Sequence, residues 1–275
     1  MAKIGERIKL PVVREVSAGL MLDGGDLGEI LLPRGERLSG TNDEVEVFLY
    51  RDSEDRPIAT ERMPEVMPGE FGVLRVAASN KTGVFLDWGL AKDLLLPFRE
   101  QRNSPKVGAR VVVFVFLDPK SQRLIATQRI GRHFSKERPP YREGDEVSLL
   151  LFGKTEMGHK VIVDGRFEGL LFKNQIFEEL FYADQRQGYV RQVRSDRKMD
   201  ISLYAPGRAG VEDLEERLER ELESRGGYWE LNDQTSAETI QDELGVSKKA
   251  FKKALGALYR KRKIVLEEDG IRWVD

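Results

Sequence analysis

The 275-residue chain has no cysteine and only two histidines, His133 and His159. The first absence excludes disulfides, thiolate metal sites and a thiol nucleophile, and it points to a reducing cytoplasm. The second leaves no basis for a histidine-built metal centre. Nowhere do 18 apolar residues run together, and residues 1–6 open straight into charged sequence. The expectation is therefore a cytoplasmic protein, neither exported nor membrane-spanning. There is no G-x-x-x-x-G-K loop and no Asp constellation separable from turns and strand ends. No catalytic residue, metal or cofactor is assigned on these grounds, and an enzyme, for instance a nuclease, finds no support.

What the sequence does contain, it contains twice. Glu29-Ile30-Leu31-Leu32-Pro33-Arg34 returns as Asp93-Leu94-Leu95-Leu96-Pro97-Phe98, and Ile58-Ala59-Thr60-Glu61-Arg62 returns as Ile125-Ala126-Thr127-Gln128-Arg129. A period of 64 to 67 residues in alternating, strand-like segments indicates duplicated modules the length of a five-stranded barrel. Gly19-Leu20-Met21-Leu22-Asp23 and Gly83-Val84-Phe85-Leu86-Asp87 read as corresponding strands bounded by turns. The stretch 62–70, with two prolines and a glycine, reads as a short linker whose two methionines are also available to pack, and 132–140 reads as a second linker. Alternation restarts at Tyr141 and runs to Leu203, which makes a third module. Within it, residues 174–180 read as a single helical turn.

Charge is divided unevenly. Residues 1–66 carry nine basic and fourteen acidic side chains, whereas 67–131 carry ten and five. The first module is expected to repel phosphate and the second to attract it. Basic candidates in the second include Lys81, Lys92, Arg99, Arg102, Arg110 and Arg123. Arg191, Arg194, Arg197 and Lys198 cluster on one hairpin of the third.

After Gly207 the apolar spacing becomes helical. Leu214, Leu218 and Leu222 mark an amphipathic helix, whose many charges read as a solvated face with i,i+4 pairs. A short helix follows, with Thr235 or Ser236 as its cap and a stop at Gly245. Ser247 caps another, running to about Arg262, with Phe251, Leu255 and Leu258 facing inward. A hairpin closes the chain, its Asp269-Gly270 pair supplying positive φ to a tight turn. Helix, turn, helix and hairpin make a winged helix. Between Ser247 and Lys263 stand eight basic residues and no acidic one: Lys248, Lys249, Lys252, Lys253, Arg260, Lys261, Arg262 and Lys263. Such a helix neutralises phosphates but carries few base-reading side chains.

The fold expected is mainly β with α: three tandem five-stranded OB-like barrels at 1–66, 67–135 and 136–206, then a helix and winged helix at 212–275. The runs 164–171 and 198–203 resemble ribosomal S-one type RNA-binding domains, whose pattern is Phe-Gly-x-Phe-Val-Asp, Gly-Leu-x-His-x-Ser and a closing Arg-Ile-x-Leu-Ser. Three such modules before a winged helix resemble, over essentially the whole length, the conserved virulence factor B family of bacterial RNA-binding regulators. That resemblance implies single-stranded RNA binding, some affinity for DNA, post-transcriptional regulation and no enzymatic activity.

The carry-over is made by position. In the second module Phe85 takes the second aromatic place, Thr82 the first and Leu96 that of the histidine, with Phe98 two residues beyond. In the third, His159 takes the first aromatic place, Ile162 the second and Phe172 that of the histidine. The first has Ala18, Met21 and Leu32 there and so no stacking platform; its partner is left unassigned. Taken singly, Phe85 and Phe172 read equally as core or as base platform, and His159 as a surface histidine. The nucleic-acid-binding candidates are Phe85, Phe98, Arg110, Arg123, His159, Phe172, Arg191, Arg194, Lys198, Lys248, Lys249, Lys252, Lys253 and Arg260. The alternative function is a winged-helix DNA-binding transcription regulator with the barrels as accessories.

Overall fold

The computed structural model describes residues 1–38, 43–173, 176, 179–205, 211–244 and 246–274, with backbone alone at 211–213. The first barrel comprises β1 (Arg7–Val16), β2 (Gly19–Asp23), β3 (Glu29–Pro33), β4 (Glu44–Arg51) and β5 (Pro57–Thr60). The second comprises β6 (Phe71–Asn80), β7 (Gly83–Asp87), β8 (Leu94–Pro97), β9 (Arg110–Leu117) and β10 (Leu124–Thr127). The third comprises β11 (Glu146–Thr155), β12 (Gly158–Val163), β13 (Phe167–Phe172), β14 (Gln185–Val193) and β15 (Met199–Ser202). All three close in one order, first–second–third–fifth–fourth, with the third and fifth strands parallel. The expected three barrels and winged helix are thus present. The helical turn expected at 174–180 falls largely outside the described residues, as do the break at Pro206-Gly207 and the stop at Gly245.

The repeat extends to individual interactions. Each barrel has a register shift in its first strand, between Val12 and Arg14, Val76 and Ala78, and Leu151 and Gly153. Such a bulge bends a long strand around a small closed barrel. Gly83 opens β7 at φ 157°, and a Cβ there would lie 2.3 Å from the Leu96 carbonyl oxygen. Gly19 and Gly158 stand in the same situation against Leu32 and Leu171. Only a residue without Cβ lets the two strands approach this closely. The repeated threonine has a matching purpose: Thr60 Oγ1 donates to Glu36 and Thr127 Oγ1 to Glu100, both at 2.7 Å.

Strand β4 has two buried faces. Val45, Val47 and Leu49 fill the first barrel, while Phe48 and Tyr50 join the core cluster of the second. Phe48 meets Trp88 edge-on at 6.0 Å between ring centroids. This explains why Val45 through Tyr50 departs from alternation. The connecting stretch 62–70 is part of the same seam: Met63 and Met67 pack on that core, as the sequence allowed, and Val66 is buried in it. Polar contacts reinforce the seam. Arg123 pairs with Asp55, Arg51 Nε donates to the Gln122 carbonyl at 3.1 Å, and Lys92 Nζ donates to the carbonyls of Arg51 and Asp52 at 3.0 and 2.6 Å. Barrels one and two fall in one compact unit, Met1–Phe134; the third barrel and the winged helix fall in the other, Ser135–Asp275.

The winged helix runs α1 (Val211–Ser224), β16 (Tyr228–Trp229), α2 (Ala237–Leu244), α3 (Lys248–Arg260), β17 (Ile264–Leu266) and β18 (Ile271–Trp273), with sheet order β16-β18-β17. Leu214, Leu218 and Leu222 are buried in one cluster with Phe251, Leu255 and Leu258, as their spacing requires. Ser236 caps α2 by accepting the Thr239 N–H at 3.0 Å, and Ser247 caps α3 by accepting that of Ala250 at 3.3 Å. Two expectations are corrected. Gly270 has no positive φ; glycine is needed because a Cβ would lie 2.4 Å from the Trp229 carbonyl oxygen. The acidic face of α1 is only partly a solvated one. Arg225 does pair with Glu221 at i,i+4, but Glu215 is buried against Lys261 at 2.6 Å and Glu219 holds Lys263 at 2.7 Å.

Candidate nucleic-acid interface

On β7 the alternation sends Val84 and Leu86 into the core and leaves Phe85 outward and half-buried. Directly opposed residues share a face of the sheet. Phe85 opposes Leu95 on β8, Leu95 opposes Ile125 on β10, and Ile125 opposes Phe116 on β9. An apolar band therefore crosses the outside of the second barrel. Phe98 follows β8 and is 52% exposed. Its N–H reaches the Thr82 carbonyl at 3.4 Å, so its backbone lies beside the position where a first stacking aromatic is missing.

The positive charge of this barrel is not one continuous free surface. Arg99 pairs with Asp118 at 2.9 Å and Arg132 with Glu100, while Arg123 and Lys92 hold the seam to the first barrel. Burial, with Arg123 nearby, lowers the pKa of Lys92. Arg110 opposes Arg75, which opposes Asp87, at the far end of the barrel from Phe98. Lys81, Arg102 and Lys106 are exposed and have no ionic partner among the described residues.

A second aromatic group was not singled out from sequence. Phe71 packs against Phe114 at 4.8 Å and Phe134 at 5.2 Å, and His133 stacks on Phe114 at 4.1 Å and leans on Phe116 at 5.3 Å. Burial, then the neighbouring Arg132, lowers the pKa of His133, so it is neutral at pH 7. The i,i+2 spacing of Phe114 and Phe116 on a strand was the available signal.

In the third barrel the candidates separate. His159 opposes Leu171, which lies in the core, whereas Phe172 opposes Gly158. His159 and Phe172 consequently point to opposite faces, and Ile162 is buried. Burial, with Lys154 opposite, lowers the pKa of His159. Phe172 carries the Arg194 guanidinium 5.7 Å from its ring centroid, and Arg194 Nε lies 2.6 Å from Asp200. Glu168 holds Lys198 at 3.2 Å and Lys160 at 3.7 Å. Arg191 occupies the bulge where the β14–β15 register shifts. Asp164, matched to the family pattern, is structural: it accepts the Ser148 N–H at 2.7 Å and the Tyr141 hydroxyl at 2.7 Å. Burial and this carboxylate push the pKa of Tyr141 up to about 12.

On α3, Lys249 and Lys253 are exposed and without an ionic partner among the described residues. Lys248 Nζ donates to the Gln234 carbonyl at 3.1 Å, and Lys252 lies 3.6 Å from Asp233. Arg260 bonds the Gly256 carbonyl at 3.1 Å. The outward lysine pair is thus narrower than the run of eight basic residues.

Two family models match. One is described as a CvfB-like winged helix domain and covers residues 216–272; the other, the S1 domain, covers 4–62 and 68–129. Both are nucleic-acid-binding modules rather than enzymatic ones. The chain is 27% identical to the uncharacterized protein YitL of Bacillus subtilis, over 96% of this chain and 91% of that one. It is 24% identical to conserved virulence factor B of Staphylococcus aureus, over 86% of this chain and 85% of that one. A solved multidomain protein with nucleic acid binding domains from Streptococcus pneumoniae is 23% identical over 98% of both chains, with a TM-score of 0.44.

Proposed function

Since this chain belongs to the conserved virulence factor B family, we propose that it is a non-catalytic regulator that binds single-stranded RNA through barrels two and three, with the winged helix adding a backbone contact. The observation that carries this reading is the order of modules, three barrels of one topology followed by a winged helix. Five-stranded barrels of this kind bind on the outside of their second and third strands, because the interior is filled. Phe85 and Phe98 stand on that part of the second barrel, and Phe172 with Arg194 on that part of the third. Base–aromatic stacking supplies affinity there with little sequence preference. Lys249 and Lys253 of α3 supply phosphate neutralisation.

The test is binding of the full chain to uridine-rich and mixed single-stranded RNA and to duplex DNA of equal length, at two salt concentrations. Tighter binding of single-stranded RNA supports the reading. Preference for duplex DNA would make the winged helix the principal reader and the protein a transcription regulator.

A further inference from the structure

One cavity in the unit formed by the first two barrels belongs to neither alone. It holds about 190 Å³ where the outer face of β7, β8 and β10 meets β4 of the first barrel. Phe85, Leu95 and Ile125 line one side, in line across three strands, and Tyr50 and Arg51 of the first barrel line the other. The volume is well below the roughly 300–1,000 Å³ typical of sites for drug-sized ligands, so the space suits a single ring system. Phe85 gives it a stacking surface.

The polar lining suits an anion attached to that ring. Lys92 and Arg123 also line the cavity, with Asp93 the one acid among the described lining residues. Arg123 is matched by Asp55. Arg51 and Lys92 instead give their N–H groups to neutral carbonyl oxygens, and the nearby carboxylates of Asp55 and Asp52 offset part of the charge without bonding either cation directly. The Tyr50 hydroxyl stays protonated, its pKa pushed up to about 12 by burial and by Glu36 and Asp52, so it enters as a hydrogen-bond donor.

We propose that this seam is a single-nucleotide pocket in which one base of a bound strand lies on Phe85 and its phosphate faces Arg51 and Lys92, so that the first barrel completes the site of the second. This rests on the nucleic-acid-binding reading above. The first barrel has no platform of its own, and here it contributes the opposing wall.

The experiment is photocrosslinking of the full chain to a single-stranded oligoribonucleotide containing 4-thiouridine, with crosslinked peptides identified by mass spectrometry. Affinities of Phe85→Leu and Phe85→Tyr are measured alongside. A second arm titrates the chain with each nucleoside 5′-monophosphate and with inorganic phosphate. Expected are crosslinks on the peptides carrying Phe85 or Tyr50, a loss of about 5- to 150-fold for Phe85→Leu, and retention for Phe85→Tyr. Strong RNA binding with crosslinks elsewhere and an unaffected Phe85→Leu variant would overturn the pocket and leave the broader reading standing. Absence of any RNA binding would overturn both. Saturation by a free monophosphate that leaves oligonucleotide binding untouched would overturn the assignment to a strand.

Discussion

Removing Lys249 and Lys253 together should flatten the salt dependence of binding by a calculable amount. Each phosphate neutralised by a protein cation releases condensed counterions, so log K falls against log salt with a slope of about 0.7 per contact on single strands and about 0.9 on duplex DNA. Both ammonium groups are exposed and without an ionic partner among the described residues, so each is available for one contact. Lys249→Ala/Lys253→Ala should lower the slope by about 1.4 on RNA or about 1.8 on duplex DNA. Between 50 and 200 mM salt this shrinks the loss of affinity about 7-fold or about 12-fold respectively, so the change also reports which polymer α3 touches. Lys252 provides an internal comparison, because Asp233 stands 3.6 Å from its ammonium. Lys252→Ala alone should change the slope less than Lys253→Ala alone. Fluorescence anisotropy at five or more salt concentrations gives the slopes. An unchanged slope in the double variant, or equal effects of Lys252→Ala and Lys253→Ala, would refute the assignment.

Thr82→Phe places an aromatic on an exposed position beside Phe98, and single-stranded RNA affinity should rise about 5-fold or more; an unchanged Kd would count against this end of the barrel. Gly83→Ala should cost at least about 1–3 kcal/mol from backbone strain alone, with the clash on Leu96 added. Gly131→Ala, where an added Cβ meets nothing within 4 Å, should leave the melting temperature unchanged, and equal melting temperatures for the two variants would defeat the argument. His133 is held neutral by burial and Arg132, so its folded pKa lies below the ordinary value of about 6.5. The unfolded chain then takes up the proton first, and this contribution to stability, present above pH 6.5, is lost as pH falls through the folded value. Imidazole titration by NMR should give a midpoint below 6.5, and one above it would show that the Phe114–His133 stack does not exclude water.

Much of the fold is written in local signals. Apolar residues every second position gave the strands, Leu214, Leu218 and Leu222 gave a buried helix stripe, and Ser247 gave a cap; each depends only on neighbours in sequence. The two-residue strand β16 carries no periodicity and was not legible. Nor was the seam, because a residue such as Phe48 looks the same whether its outward ring meets water or a second barrel. The candidate site suffered most from this. Counting charge along 67–131 made the second barrel strongly basic, but a count is blind to partners. Asp55 and Asp118 take up Arg123 and Arg99, and two backbone carbonyls of the first barrel turn Lys92 into the seam. In the third barrel the motif match set His159 beside Phe172, and the pairing register assigns them opposite faces.

The aromatic face of β4 also bears on how the chain is made. The first barrel is complete in sequence at Thr60, whereas the strands that cover Phe48 and Tyr50 are complete only at Thr127, 67 residues later. At a synthesis rate of about 5–20 residues per second, a first barrel that closes as soon as it emerges leaves those rings uncovered for roughly 3–13 seconds. During that interval the nascent chain presents a sticky apolar patch to the ribosome surface, to chaperones and to its neighbours on the same message, and the arrival of the second barrel ends it.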